Sequence, residues 1–202
     1  MKNYSVSALL VLGTAFLFSC SNGAETDEKK VADSTNTARI DSAKNVDTSG
    51  SNQTTMADMN QDADFAVAVA DAGMLEVALG KLAQKKGMSP AVKKFGGQMV
   101  TDHTKANMEL KPLAAATNIA LPKDMSEKCQ KVMTDLEQKK GKDFDKAYID
   151  QMVKDHKDVI DEFKKESEKG KDTQMSAWAK SKIPALEHHL TMAEDIQKNL
   201  KD

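Results

Sequence analysis

From Asp62 onward, apolar side chains return every three or four residues, with few β-branched runs and no Asn-Gly hairpin turn in that stretch. This spacing restricts the stretch to an all-α fold in which each helix buries one face. A first helix is expected from Asp62, as N-cap, to about Lys86, stopping at Gly87, with Phe65, Val69, Ala72, Glu76, Leu79 and Ala83 inward. A second opens at Ser89-Pro90, presents Val92, Gly96, Met99, His103, Leu110, Leu113 and Thr117, and ends before Leu121-Pro122. A shorter helix from about Lys123 to Lys140 carries Cys129, Val132, Met133 and Leu136. Asp143 starts another, with Phe144, Tyr148, Met152, His156, Val159, Ile160 and Phe163 on one side. After Lys169-Gly170 a last helix carries Met175, Trp178, Ala179, Leu186, His189, Ala193, Ile196 and Leu200; Pro184 predicts a kink, or a break one turn earlier.

The chain begins differently. Lys2 precedes an apolar run, Val6 to Phe18, interrupted only by Ser7, Gly13 and Thr14. The run is shorter than the roughly 20 apolar residues that span a bilayer, and reads as a signal peptide over residues 1–19. It ends in Leu17-Phe18-Ser19-Cys20, which resembles the bacterial lipobox, with Phe18 departing from its usual small or aliphatic residue. Cys20 is the expected lipidation site, anchoring the protein to a membrane by acyl chains. Ser21 in place of aspartate tilts the expected address to the outer membrane, facing the periplasm or the cell surface. Residues 20–61 are rich in Ser, Thr, Asn, Asp, Ala and Lys, and are expected to form a disordered tether. Residues 62–202 form the expected bundle domain.

With 29 basic against 31 acidic residues and nine aromatics in all, nucleic acid is not an expected partner. Only two cysteines are present, so lipidation of Cys20 leaves Cys129 without a partner and no disulfide framework supports the fold. The twelve methionines read as core filler in a bundle poor in aromatics.

The segment QMVTDHTKANMELK, residues 98–111, returns as QMVKDHKDVIDEFK at 151–164, which duplication of a helical hairpin would explain. His103, His156, His189 and Glu76 each fall on the apolar stripe of a different helix, near its middle. In an up-and-down bundle of similar-length helices the middles share one height, so these four would converge in one layer. A carboxylate with three imidazoles suits a transition metal such as zinc, iron or copper. Asp102 and Asp155 project about 100° round the helix from their histidines, which places them to orient histidines of a neighbouring helix. The same residues could instead form a metal-free buried polar network, making the protein a structural or interaction module of the envelope. A redox enzyme acting on oxygen or peroxide at bound iron is a third reading. No phosphate loop, Ser-His-Asp arrangement or paired zinc cysteines point to another chemistry, and the sequence leans away from an enzyme.

Phe65, Gly73-Met74, Glu76-Val77, Met99 to Thr104, Phe144 to Ile149, Met152 to His156, and Ile183-Pro184-Ala185-Leu186 with His189 together resemble the bacterial domain-of-unknown-function family 4142. The resemblance implies a ferritin-like four-helix bundle with one additional short helix, in the periplasm or on the envelope. No helix carries the Glu-x-x-His pair that recurs in ferritin-like di-iron sites, so the resemblance does not extend to ferroxidase chemistry.

Overall fold

The computed structural model describes residues 27–44 and 56–200, and the signal peptide and Cys20 lie outside the described residues. Every regular element among them is helical, as the apolar spacing requires: α1 (Glu28–Lys44), α2 (Met56–Lys86), α3 (Pro90–Ala116), α4 (Glu127–Glu137), α5 (Gly141–Lys169) and α6 (Thr173–Asn199). The short connections 87–89 and 170–172 fold α2 against α3 and α5 against α6 as two hairpins. Contacts of α2 with α5 and of α3 with α6 join the hairpins into a four-helix bundle, and α4 lies against α2 and α5. Helices α2 and α3 approach closely because glycines face each other. A Cβ on Gly80 would lie 2.6 Å from the Gly96 carbonyl oxygen, and one on Gly96 2.8 Å from that of Gly80.

Three buried aspartates hold the helix starts in place. A helix N-terminus leaves amide groups without intrahelical partners and carries partial positive charge, so a buried carboxylate there is both paired and stabilised. Asp62 accepts from the amides of Lys171 and Asp172, at the start of α6. Asp145 accepts from those of Met88 and Ser89, at the start of α3. Asp71 accepts from the amide and hydroxyl of Ser126, the N-cap of α4, and Cys129 Sγ donates to it at 3.2 Å. Asp62 is thus not the N-cap of its own helix. That helix continues upstream to Met56, and the side chain serves another helix.

The expected tether is corrected over Glu28–Lys44, which is α1 and packs on α2. Its buried side is narrow: Ala32, Asn36 and Ile40 at intervals of four residues. Asn36 fixes the helix to the bundle, its amide donating to the Ala120 carbonyl at 2.9 Å and its carbonyl accepting from the Ala120 amide at 2.6 Å. Arg39 donates to the Asn118 carbonyl at 2.8 Å.

Pro184 does not break α6, which runs through it from Thr173 to Asn199. Pro184 and Lys180, whose carbonyl loses its partner, are both exposed, so water can satisfy that oxygen. The repeated segments fall on α3 and α5, the second helix of one hairpin and the first of the other. Duplication of a hairpin therefore does not account for the repeat.

The apolar core divides into two clusters. One gathers Leu79, Phe95, Met99, Phe144, Tyr148 and Met152; the other gathers Phe65, Leu110, Ile160, Phe163, Met175 and Leu186. The candidate site belongs to the polar layer between them.

Candidate metal centre

Each histidine occupies a position where a bundle of this kind would bury an apolar side chain. His103 on α3 stands one turn beyond buried Met99; His156 on α5 lies between Met152 and Ile160; His189 on α6 lies between Leu186 and Ala193. Three different helices thus bring the imidazoles together. Ring centroids are 5.7 Å apart for His103 and His156, 5.7 Å for His103 and His189, and 5.4 Å for His156 and His189. Each residue offers one ring nitrogen to a group in which all three atoms lie within 4.8 Å of one another. Three points so spaced share a centre no more than about 2.8 Å from each. Side-chain rotations of under an ångström would bring the nitrogens to the 2.0–2.1 Å typical of zinc–imidazole bonds.

Hydrogen bonding fixes which nitrogens are free. His156 Nδ1 lies 2.9 Å from the Met152 carbonyl oxygen, which can only accept, so Nδ1 carries the proton and Nε2 the lone pair. His189 Nε2 lies 2.8 Å from Asp102 Oδ2 and donates to it, leaving Nδ1 as the lone-pair atom. His103 Nε2, His156 Nε2 and His189 Nδ1 are all buried without a hydrogen-bond partner. An unpaired buried polar atom costs on the order of 1–3 kcal/mol, and three such atoms in one cluster of imidazoles are what a shared cation would satisfy.

Electrostatics keep those lone pairs available. Burial, followed by the neighbouring His156 and His189, holds His103 down to about 3. Burial and His189 hold His156 down to about 4. Burial also lowers His189, opposed by its bond to Asp102. The rings are neutral at pH 7, as metal coordination requires. Asp102 is lowered despite its partial burial, through hydrogen bonds from Gln98 and His189, and remains an anion beside the site.

Of the four expected ligands the structure brings three together. Glu76 on α2 is buried and close by, but its Oε1 lies 3.8 Å from His156 Nδ1, the nitrogen committed to Met152. It is absent from the three-nitrogen group. Burial, with a contribution from Asp155, raises its pKa well above the ordinary carboxylate value; its Oε2 has no partner. Asp102 takes the expected orienting role on a neighbouring helix. Asp155 bonds instead to Gln151 of its own helix at 2.8 Å, and makes no hydrogen bond to a histidine. Glu109 lies outside the site, accepting from Trp178 Nε1 at 3.0 Å and pairing with Lys182.

Two features escaped sequence reasoning. Gln98 donates to Asp102 at 2.5 Å just as Gln151 donates to Asp155, so the repeated Gln-x-x-x-Asp-His unit is a carboxylate held by a glutamine one turn earlier. The repeat itself was the available signal. Tyr148, expected only as a core residue, buries an unpartnered hydroxyl, and burial with nearby Glu76 raises its pKa. Beside the histidines a cavity of about 70 Å³ opens between α2, α3, α5 and α6, lined on one side by Glu76, Asp102, His103 and His189 and elsewhere by mainly apolar side chains.

No curated protein and no solved structure matches the chain. The family model described as Domain of unknown function (DUF4142) matches residues 46–196, a span containing all three histidines, Glu76, Asp102 and Asp155. The chain belongs to the DUF4142 family.

Proposed function

We propose that this protein is a metal-binding helical bundle whose centre is built from His103, His156 and His189, with Asp102 orienting His189. The observation that carries the reading is the convergence of three imidazoles, each offering a ring nitrogen to a group within 4.8 Å and each with a buried ring nitrogen that has no partner. Imidazole donors suit zinc, copper, iron and nickel, and the wholly nitrogen set argues against magnesium or calcium, which take oxygen. Glu76, in this reading, is a neighbour rather than a fourth ligand. Metal analysis of protein stripped with chelator and reloaded tests it. One equivalent of zinc or copper, lost in His103→Ala and His156→Ala, is the expected result; a protein that takes up no metal near neutral pH overturns the reading and leaves a buried polar network in a structural module.

The same chain is proposed to be lipid-anchored in the cell envelope through Cys20, on the support of the apolar leader and the Leu17-Phe18-Ser19-Cys20 sequence. No helix among the described residues is long and apolar enough to cross a membrane. Because α1 begins at Glu28, the chain from Cys20 to the first helix reaches at most about 30 Å, which would keep the bundle close to the membrane. Palmitate labelling of the wild type, absent in Cys20→Ala, is the expected outcome; equal labelling of both would refute the anchor.

A further inference from the structure

The geometry points to an open coordination position on the metal, facing the adjoining cavity and able to take a small exogenous ligand. This inference rests on the three-histidine metal reading. The described chain supplies three converging nitrogens, and no carboxylate, thiol or further imidazole joins their group. A metal held by three protein ligands in a four-coordinate geometry keeps one position for an exogenous donor, which distinguishes an open site from a closed structural one. Glu76 lines the same cavity, with Oε1 3.8 Å from His156 Nδ1, but does not join that group.

The cavity bears on the class of that ligand. His103 and His189 form part of its wall beside Glu76, Asp102 and Asp155, and Val69, Val159, Phe163 and Leu186 give it an apolar side. Its volume of about 70 Å³ leaves room for a small molecule beside the histidines. A ligand reaching the metal there must fit between these walls, which favours small, compact donors such as azide, cyanide or a diatomic gas over amino acids or phosphate.

Cobalt(II) reports this directly, because its visible absorption changes when a ligand enters the coordination sphere. Full-length protein loaded with one equivalent of cobalt is titrated with azide, beside Val159→Phe and Ala72→Leu, which place bulk in the cavity without touching the histidines. The expected result is a saturable spectral change in the wild type, weakened at least tenfold in both variants while each still holds one equivalent of cobalt. Cobalt bound with no response to azide, or equal azide affinity in wild type and cavity-filled variants, overturns the open position while leaving the metal reading intact. A wild type that takes up no cobalt overturns both. Should one variant fail to hold cobalt, the other decides.

Discussion

Asp102 Oδ2 accepts a hydrogen bond of 2.8 Å from His189 Nε2 across the seam between α3 and α6, and this contact decides which nitrogen of His189 faces the other two imidazoles. Without it the ring could turn its other nitrogen inward. Removing the carboxylate charge should therefore weaken metal binding by about 10–100-fold, the usual effect of losing a ligand's orienting partner. Competition with a chromophoric chelator on Asp102→Asn measures it; an affinity equal to wild type would show that His189 is held by packing alone.

The histidines also give the metal-free protein a pH dependence of defined sign. In the unfolded chain an imidazole titrates near 6.5, whereas His156 in the fold is held down to about 4. Between those values the unfolded state binds a proton that the folded state refuses, so stability is lost as pH falls through the window. At pH 5 the cost is about 2 kcal/mol for this one residue. Glu166 acts in the opposite direction, so the clean measurement is the difference between wild type and His156→Gln. The variant's stability relative to wild type should rise from pH 7 to pH 5 in urea unfolding, and parallel profiles would contradict the buried neutral imidazole.

Glu166 supplies a second pH effect at the far end of the bundle. Burial, followed by the nearby Asp62 carboxylate, raises it to about 7. Because its folded value exceeds the unfolded one, its protonated form stabilises the fold at low pH, and that contribution is lost as pH rises from about 4.5 through 7. Glu166→Gln, which cannot ionise, should raise the melting temperature at pH 8 and change it little at pH 5. A uniform loss at both pH values would mean that the carboxyl is needed for its shape or charge.

The helix-start aspartates should behave as a set. Replacing Asp145 by Ala leaves the Met88 and Ser89 amides without their acceptor, at a cost on the order of 1–3 kcal/mol. Asp71→Ala should cost a similar amount and also release the Cys129 thiol, which burial and its surroundings push up to about 12. Urea denaturation reads the stability. Thiol reactivity reads the second effect, with Cys129 expected to react faster in Asp71→Ala.

The all-α bundle and the three histidines were legible because each imidazole interrupts an apolar stripe near the middle of its helix, where residue type and spacing carry the information. α1 was not, since its buried side is one alanine, one asparagine and one isoleucine, too narrow to stand out from a polar segment. Asp62 looked like a cap because aspartate caps helices, and it does cap one, though its partner amides lie more than a hundred residues along the chain. Glu76 shared the stripe and the height of the histidines, yet spacing along a helix does not say which nitrogen of a neighbouring ring a carboxylate will meet. The division of labour between Asp102 and Asp155, each within a Gln-Met-Val-x-Asp-His unit, likewise depends on which helix packs opposite each.

X-ray absorption at the metal edge of the zinc-loaded protein tests the central claim most directly. The account predicts three imidazole nitrogens at about 2.0–2.1 Å with one further light donor from solvent, and loss of one imidazole shell in His189→Ala. A first shell of oxygen donors without imidazole scattering, unchanged in that variant, would contradict it.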